Sequence, residues 1–326
     1  MPGKLEGKVF AVTGSGRGIG RGVAMLAARE GAKVVVNDAG VNVDGSGADA
    51  GPAQQVVQEI KGEGGTAVPY VGDISTVEGG EALVKTALDR FGKLDVLINV
   101  AGILRDRMIF NMSEEEWDAV IRVHLKGHFC TIKPASILMR QQRSGRIINY
   151  TSVSGLIGAA GQGNYGAAKA GIAGLTRVVA RDLGRYGVTC NAISPGASTR
   201  MTATVSDEAR QKRASAGIQT GSLITLQPNP ALAMREPEYV APMTCFLATD
   251  AAWNINGQIF NVNGGTVALL HHPTPVRSIW KPGMWTLDEL ETFVPSQLMA
   301  GVENPAPPPP DLEVAGRAAA PVAARA

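Results

Sequence analysis

The chain has few cysteines, few aromatic residues and no long apolar run. Aromatic residues make up 5% of its 326 residues, and the three cysteines are Cys130, Cys190 and Cys245. Because the cysteines stand far apart and form no CxxC pair, we expect core residues in a reducing compartment, with neither a disulfide framework nor a metal site. No segment reaches the roughly 18 apolar residues of a membrane span. The sequence therefore predicts no membrane-embedded part and no membrane partner.

An excess of charge of either sign is missing as well. The 31 basic and 29 acidic residues leave a formal net charge of +2, so no overall field attracts nucleic acid or an anionic membrane. An apolar strand pattern already begins at residue 9, which leaves no room for a signal peptide. The C-terminal AARA is not an SKL-type peroxisomal address. We expect a cytoplasmic protein without a nucleic-acid partner.

A regular alternation of strand and helix patterns runs through most of the chain. The predicted strands are VFAVT, VVVND, AVPYV, LDVLIN, GRIINYT, VTCNAIS and QIFNVN. Helical patterns are centred on residues 19–30, 52–62, 78–91, 114–142, 163–184 and 237–248. This succession predicts a single α/β domain of the Rossmann type, with a doubly wound seven-stranded parallel sheet and helices on both faces.

A glycine-rich turn follows the first predicted strand. From Thr13 to Gly20 the chain reads TGSGRGIG, with glycine at every second position from Gly14 onward. Such glycines allow tight backbone angles and the close approach of a pyrophosphate to the N-terminus of the next helix. The spacing is TGxxxGIG and not the commoner GxGxxG, and turns of this kind also occur in purely structural settings. The turn alone is therefore a weak prediction of a dinucleotide site.

An acidic residue closes the second predicted strand, KVVVND. Asp38 lies eighteen residues past Gly20, where a carboxylate can accept hydrogen bonds from the adenosine ribose and repel a 2′-phosphate. Arg17, beside the glycine turn, argues in the other direction, because a guanidinium can hold such a phosphate. The balance favours NAD as the cofactor and leaves NADP as the alternative.

Three residues can form a proton-transfer site. Tyr165 follows Ser152 by thirteen residues, and Lys169 follows Tyr165 by four. A helix beginning near Gly163 would place the tyrosine and the lysine on one face. A phenol has a pKa of about 10, and lowering it by about three units requires roughly 4 kcal/mol. Lys169 together with a second positive charge, such as that of an oxidised nicotinamide, would favour the phenolate.

Together, these patterns resemble the short-chain dehydrogenase/reductase family. The resemblance covers roughly residues 5 to 268 and rests on TGSGRGIG, on NVAG from Asn99, on Ser152, on YGAAK from Tyr165 and on NAISPG from Asn191. It implies an NAD(P)-binding Rossmann fold and a reaction that interconverts a secondary alcohol and a ketone. Each motif can occur by chance, whereas their joint occurrence in this order is specific.

The resemblance implies roles for individual residues. Tyr165 would be the base, Ser152 would donate to the substrate oxygen, and Lys169 would lower the tyrosine pKa and bind the nicotinamide ribose. Asp73 would contact the adenine amine. The cofactor-binding residues expected on this basis are Gly14, Ser15, Gly16, Arg17, Gly18, Ile19, Gly20, Asp38, Asp73, Ile74, Asn99, Ala101, Gly102, Tyr165, Lys169, Pro195 and Gly196.

Two positions depart from the family pattern. Val100 replaces the second asparagine of the usual NNAG run, and we expect little effect because Asn99 is kept. His124, in VHLKG, stands where the family's fourth catalytic residue is usually an asparagine that holds a water beside the lysine. A catalytic histidine there could hold a water or pass a proton, and its titration would add a pH dependence. The alternative is a buried histidine with a backbone partner.

A closer resemblance is to one branch of the family, the (3R)-hydroxyacyl-CoA dehydrogenase domains of peroxisomal multifunctional enzymes. It is carried by VVVNDAG, VVQEIKGEGGTAV, AGILRDRM, WDAVIRVHLKGHF and PEYVAP. It implies an acyl-CoA or steroid substrate in lipid or steroid degradation, and a homodimer or homotetramer. The alternatives are a hydroxysteroid dehydrogenase and an NADPH-dependent 3-oxoacyl carrier-protein reductase. A rival of another class is a redox sensor that binds the dinucleotide without catalysis.

Residues 197–237 fall where the family has its substrate lid. Basic side chains in this segment, Arg210, Lys212 and Arg213, could meet the phosphates of a CoA thioester. The alternative is a solvated, charged helix face.

The chain continues beyond the expected catalytic domain of residues 1–268. We predict a docked extension over residues 269–303, because it carries large apolar residues such as Trp280 and a capping box from Thr286 to Glu289. Residues 304–326 are rich in Pro and Ala and are predicted to be disordered.

Overall fold

The fold is built around one eight-stranded sheet. The computed structural model describes residues 3–47, 49, 51–197, 236–302, 304–309 and 312. Its strands are β1 (Val9–Thr13), β2 (Lys33–Asn37), β3 (Thr66–Tyr70), β4 (Val96–Asn99), β5 (Gly145–Tyr150), β6 (Val188–Pro195), β7 (Ile259–Asn263) and β8 (Thr266–Leu270). The order in the sheet is β3-β2-β1-β4-β5-β6-β7-β8, and the pairs from β3 to β7 are parallel. The predicted parallel α/β sheet is confirmed.

Helices connect the strands in the predicted order. They are α1 (Gly18–Arg29), α2 (Gly51–Gly62), α3 (Val77–Phe91), α4 (Glu114–Ile121), α5 (Gly127–Gln142), the short α6 (Val153–Leu156), α7 (Gly163–Leu183), α8 (Ala241–Leu247) and α9 (Leu287–Phe293). Every connection between the parallel strands β1, β2 and β3 contains such a helix, as right-handed crossovers require.

Two apolar cores lie on opposite faces of the sheet. Alternate residues of β1 point to opposite sides: Phe10 and Val12 belong to one core, and Val9 and Ala11 to the other. The first core also takes residues of α1, α2 and α8, and the second takes residues of α3, α5 and α7. Cys130, Cys190 and Cys245 are all buried with free thiols, as predicted. Helices on both faces of the sheet are therefore confirmed.

The sheet has one strand more than the seven predicted. β8 pairs with β7 in the antiparallel direction, with Asn263 opposite Thr266. The two strands are joined by Gly264 and Gly265, and Gly264 has a positive φ of 54°. A two-residue glycine loop is a strong hairpin signal, so the sheet continues to Leu270 where the sequence pattern indicated an end at Gly265.

The helical pattern over residues 114–142 is interrupted once. Between α4 and α5, residues Arg122–Lys126 form a π-helical turn that contains His124. The amide of Gly127 there donates to the carbonyl of Arg122, five residues earlier. Such single π turns inside helices are frequent at functional sites, and apolar periodicity alone does not predict them.

The described residues fall into two compact units, one up to Leu270 and one from His271. In the second unit, α9 begins with the predicted capping box between Thr286 and Glu289. Trp285 packs edge-on against Phe293, with ring centroids 5.8 Å apart. The docking of this extension and the three domain boundaries stay predictions.

The substrate-lid prediction lies outside the described residues, and so do Arg210, Lys212 and Arg213. Within the described ranges, none of the helices combines the length and apolar character needed to cross a bilayer.

Candidate active site

Close backbone contacts shape the glycine turn between β1 and α1. Gly14 has a φ of +62°, and a Cβ on it would lie 2.7 Å from the Cα of Ala101. A Cβ on Gly20 would lie 2.3 Å from the carbonyl oxygen of Gly14. No side chain fits at either position. The glycines of the TGxxxGIG turn are therefore required by its close packing against Ala101 and against itself, and binding of a cofactor by the turn stays a prediction.

The N-terminus of α1 is able to hold an anion. Its N-cap residue, Arg17, makes no side-chain cap hydrogen bond. The first-turn amides are therefore available to a ligand at the positive end of the helix dipole, which suits a pyrophosphate. Beside the turn is a groove of about 550 Å³, lined by Gly16, Arg17, Gly18, Arg21, Asp49, Gly51, Pro52 and Gln55.

Asp38 is fixed next to this turn by two backbone amides. Its Oδ2 accepts a hydrogen bond from the amide of Gly16 at 2.9 Å, and its Oδ1 accepts one from the amide of Gly40 at 2.8 Å. Across the groove, Arg17 Nη2 lies 3.9 Å from Asp49 Oδ2. The carboxylates of Asp38 and Asp49 therefore both lie near the glycine turn, and the Arg17 guanidinium faces that of Asp49.

Asp73 lies after β3, and its neighbour Ile74 is buried. Its Oδ2 accepts a hydrogen bond from Arg122 Nη1 at 3.1 Å, and its Oδ1 accepts one from the amide of Ser75 at 2.9 Å. Burial alone would raise the pKa of Asp73, but the hydrogen bonds from Ser75 and the positive charge of Arg122 outweigh it and lower the pKa. The carboxylate is thus kept ionised and oriented.

Some predicted cofactor residues use their side chains inside the protein. Ser15 Oγ donates to the carbonyl of Val12 at 2.7 Å. Asn99 Nδ2 donates to Asn149 Oδ1 at 3.1 Å, and Asn99 Oδ1 accepts from Thr131 Oγ1 at 2.8 Å. These two residues can therefore contact a cofactor only through their backbone.

The remaining predicted cofactor residues lie at the carboxyl ends of central strands. The amide of Ala101 donates to Thr13 Oγ1 at 3.1 Å, which joins the segment after β4 to the end of β1. Pro195 ends β6, and the amide of Gly196 donates to the carbonyl of Val262 at 2.7 Å. These residues therefore lie at the carboxyl ends of β1, β4 and β6, where parallel α/β sheets bind ligands, and their contact with a cofactor stays a prediction.

The predicted proton-transfer group lies where β5 ends and α7 begins. Ser152 follows β5, and Tyr165 and Lys169 are in the first two turns of α7. Tyr165 and Lys169 lie one turn apart on α7, with the lysine Nζ 5.5 Å from the centre of the phenol ring. Lys169 is 3% exposed, and its Nζ donates to the carbonyl of Tyr150 at 2.6 Å. The Ser152 side chain interacts with the Tyr165 phenol closely enough to lower the pKa of the phenol.

Burial dominates the electrostatics of this group. Burial raises the pKa of the Tyr165 phenol to about 12. The interaction with Ser152 lowers this pKa, and the negative charge of Asp106 raises it further. Burial also lowers the pKa of Lys169 to about 7. The chain's own groups thus do not bring the phenol pKa near neutrality, which agrees with the expectation that a second positive charge is needed.

His124 packs against the tyrosine from the π turn. Its ring meets the Tyr165 ring edge-on, with centroids 5.1 Å apart. Its Nε2 lies 2.7 Å from the carbonyl oxygen of Ile103 and 3.1 Å from the amide nitrogen of the same residue. Burial, followed by the charge of Lys169, holds the pKa of His124 well below 6.5. His124 is therefore neutral at pH 7, and its geometry fits the buried alternative with a backbone partner.

Gly102 and His124 are complementary in shape. A Cβ on Gly102 would lie 2.1 Å from the His124 ring atom Cε1. The glycine of the NVAG run is thus required by the histidine of the VHLKG run. This pairing of two distant motifs was not predicted from the sequence.

Polar residues around Tyr165 were also missed. Asn164 is fully buried, and its Nδ2 donates to the carbonyls of Arg105 and Glu116, at 3.0 Å each. Gln162 Nε2 donates to Asp106 Oδ2 at 2.8 Å. The sequence offers little signal for these contacts, because each joins segments about fifty residues apart. Over the described part of the chain, no group of three or more His, Cys, Asp or Glu side chains could hold a metal ion.

The glycine turn, the fixed carboxylate and the Ser152–Tyr165–Lys169 group fit a nicotinamide dinucleotide and an alcohol or ketone. Residues 8–211 match the family described as short chain dehydrogenase. The chain belongs to this family and is an NAD(P)-dependent oxidoreductase of the short-chain dehydrogenase/reductase type. The resemblance found from the sequence is confirmed.

Several relatives are similar over most of the chain. Hydroxyacyl-CoA dehydrogenase ChsB1 of Mycobacterium tuberculosis is 42% identical over 88% of this chain and 87% of its own length. A 3-oxoacyl-[acyl-carrier-protein] reductase of Synechocystis sp. is 44% identical over 81% of this chain and 98% of its own length. A solved structure, a short chain dehydrogenase from Mycobacterium avium, has a TM-score of 0.76 and 42% identity, and the match covers 94% of this chain and 98% of that one.

The peroxisomal relatives are much longer than this chain. Peroxisomal multifunctional enzyme type 2 of Mus musculus is 40% identical over 82% of this chain, but the match covers 33% of its length. The branch predicted from the sequence is therefore among the relatives, and the similarity concerns one part of a larger protein.

Proposed function

We propose that the chain oxidises a secondary alcohol to a ketone with NAD, and that its substrate is a (3R)-3-hydroxyacyl-CoA of fatty-acid or steroid side-chain degradation. The observation that carries the proposal is the group formed by Ser152, Tyr165 and Lys169. The serine side chain lowers the pKa of the phenol, and the phenol lies one helical turn from the buried lysine.

In the proposed reaction, each of these residues has a separate task. Tyr165, as the phenolate, takes the proton of the substrate hydroxyl, and Ser152 donates a hydrogen bond to the substrate oxygen. Lys169 favours the phenolate by its positive charge and contacts the nicotinamide ribose. The cofactor, when bound, accepts the hydride from the carbinol carbon. We assign His124 to packing against the Tyr165 ring and not to proton transfer, because it is buried and neutral.

NAD is proposed over NADP because of the charges at the adenosine end. The Asp38 carboxylate is held by the amides of Gly16 and Gly40, so it cannot turn away from a 2′-phosphate without losing both hydrogen bonds. Arg17, the residue that could compensate, lies 3.9 Å from Asp49. A 2′-phosphate would therefore meet one fixed carboxylate and a guanidinium that already has a carboxylate partner.

An acyl-CoA substrate is supported by the name of ChsB1, a hydroxyacyl-CoA dehydrogenase at 42% identity. The second candidate is reduction of a 3-oxoacyl carrier protein, supported by the 44% identical reductase of Synechocystis sp.. A hydroxysteroid substrate remains the third candidate from the sequence. A sensor without catalysis has no use for a phenol placed between Ser152 and Lys169, and turnover of any alcohol would exclude it. We expect a cytoplasmic homodimer or homotetramer, which sedimentation of the purified protein would test.

The deciding experiment follows nicotinamide fluorescence at fixed enzyme concentration. NAD or NADP is supplied with a (3R)-3-hydroxyacyl-CoA, and separately with a 17-hydroxysteroid. The reverse assay supplies NADPH or NADH with a 3-oxoacyl thioester. NADH formation from the CoA thioester alone supports the proposal. Turnover of the steroid alone, or reduction restricted to NADPH, would replace it with the corresponding alternative.

A further inference from the structure

A polar chain outside the assigned residues connects two loops beside Tyr165. One loop follows β4 and carries Asp106, and the other lies between α6 and α7 and carries Gln162. Gln162 Nε2 donates to Asp106 Oδ2 at 2.8 Å, and Ser154 Oγ donates to Gln162 Oε1 at 2.7 Å. The Gln162 amide is thus held at both ends, which fixes its orientation.

The backbone joins the same two loops. The amide of Arg107 donates to the carbonyl of Gly161 at 2.8 Å. Asn164 Nδ2 donates to the carbonyl of Arg105, and Asn164 Oδ1 accepts from the amide of Tyr165 at 2.7 Å. The loop that carries Asp106 is therefore tied to the first turn of the helix that carries Tyr165.

The polar chain ends at Ser152. The amide of Ser154 donates to Ser152 Oγ at 3.2 Å, and the Ser152 side chain in turn interacts with the Tyr165 phenol and lowers its pKa. Displacing Gln162 would release the side chain of Ser154, whose amide holds Ser152. The placement of the serine hydroxyl therefore depends on a glutamine ten residues further along the chain.

Ionisable groups face Tyr165 from three elements. Lys169 approaches from its own helix, with Nζ 5.5 Å from the ring centre. His124 approaches edge-on from the π turn at 5.1 Å between ring centroids, and it is neutral. Asp106 approaches from the loop after β4, and after burial its charge is the other influence that raises the pKa of the phenol.

We propose that Asp106 is a positioning residue of the site: through Gln162 and Ser154 it holds the segment that carries Ser152. This inference rests on the proposed function, in which Tyr165 exchanges a proton with the substrate. Without the hydrogen-bonded chain the serine would lose part of the support that places its hydroxyl, so proton exchange should slow while dinucleotide binding is kept.

Two positions test the hydrogen-bonded chain. Asp106→Asn keeps an oxygen that can accept from Gln162 and should keep kcat within about twofold, whereas Asp106→Ala removes the acceptor and should lower kcat about tenfold. Gln162→Ala breaks the same chain at its next member, so its effect should match that of Asp106→Ala. KM for the dinucleotide should stay within a few-fold in all three variants.

A readout that does not depend on turnover is the NMR signal of Tyr165. Protein with ¹³C-labelled tyrosine, assigned by comparison with Tyr165→Phe, reports the surroundings of the phenol ring directly. Asp106→Ala and Gln162→Ala should both shift this signal. Glu114→Gln, at an exposed carboxylate at the start of α4, should leave the signal and kcat unchanged. Thermal unfolding checks that each variant is folded.

The outcomes are distinguishable. If Asp106→Ala and Gln162→Ala retain full kcat, the positioning role is wrong. If the unsubstituted protein turns over no alcohol or ketone, the proposed function fails, while the NMR signal of Tyr165 still decides whether the chain from Asp106 affects the surroundings of the phenol.

Discussion

The two halves of the crevice are built by different means. At the adenosine end, the site is formed mainly by backbone amides and closely packed glycines. The carboxylate of Asp38 is held there by two of these amides. At the catalytic end, buried side chains hold one another, and burial moves the pKa values of Tyr165 and Lys169 far from their usual ones. Substitutions at the first end should therefore change cofactor binding, and those at the second should change rate and pH dependence.

The largest difference between the two halves of the crevice is expected at Tyr165. Tyr165→Phe removes only the hydroxyl that exchanges the proton, so we expect kcat to fall between about 10²- and 10⁴-fold. The dissociation constant for NADH should stay within a few-fold, because the dinucleotide contacts of the adenosine end are intact. Steady-state kinetics and a fluorescence titration with NADH measure the two quantities.

Tyr186→Phe is the matched control, since Tyr186 lies in the turn after the far end of α7 and stacks on Arg185. It should keep both kcat and NADH affinity. A Tyr165→Phe enzyme that retains more than a few per cent of the turnover would remove the tyrosine from the proposed role.

Two glycine substitutions, one in each half of the crevice, compare the two halves directly. Gly102→Ala places a Cβ 2.1 Å from the His124 ring, which supports Tyr165, so it should mainly lower kcat. Gly16→Ala places a Cβ 2.7 Å from Asp38 Oδ2, so it should mainly raise KM for NAD. Overpacking of this kind costs about 1–3 kcal/mol, which corresponds to effects of roughly ten- to hundredfold.

Gly62→Ala is the control for these two, because a Cβ there meets nothing within 4 Å. Kinetics at varied NAD, with thermal unfolding of each protein, would check the pair. Equal effects of Gly102→Ala and Gly16→Ala on both kcat and KM would contradict the view that the adenosine end governs NAD binding and the catalytic end governs the rate.

The sequence predicted those features that depend on short spacings. The parallel sheet follows from apolar runs between helical patterns, and the TGxxxGIG turn places its glycines where the close approaches to Ala101 and Gly14 occur. The four-residue spacing of Tyr165 and Lys169 puts both on one face of α7, as expected for a helix. Each of these predictions needs only local geometry.

Features that depend on distant contacts were not predicted. The Asp106–Gln162 hydrogen bond joins residues 56 positions apart, and neither residue belongs to a periodic pattern. The π turn at His124 follows from the packing of its ring between Gly102 and Tyr165, which helical periodicity does not encode. β8 could have been found from its two-glycine loop after β7.

The preference for NAD over NADP depends on the adenosine half of the crevice alone, so a substitution of Asp38 tests that half. Asp38→Asn removes the charge but can still accept from the amide of Gly16, so the turn should keep its shape. We expect kcat/KM with NAD to fall about tenfold, since hydrogen bonds to charged groups contribute about 1.5–3 kcal/mol, and kcat/KM with NADP to rise. Kinetics with both cofactors measure the ratio, and Asp89→Asn, an exposed residue paired with Lys85 on α3, is the control. An unchanged ratio would place the selectivity elsewhere than at Asp38.

The smallest expected effect concerns folding stability at the catalytic end. Burial, and then the charge of Lys169, lowers the pKa of His128 from 6.5 to about 3 in the folded protein. Because the unfolded chain binds this proton first, stability falls as the pH drops from about 6.5 toward 3, by at most about 1.4 kcal/mol per pH unit for one group. His128→Asn should flatten this fall in urea midpoints measured between pH 6.5 and 5. His271→Asn, at an exposed histidine, should leave the fall in stability unchanged. If both variants lose stability equally as the pH is lowered, His128 is not the cause of the pH dependence.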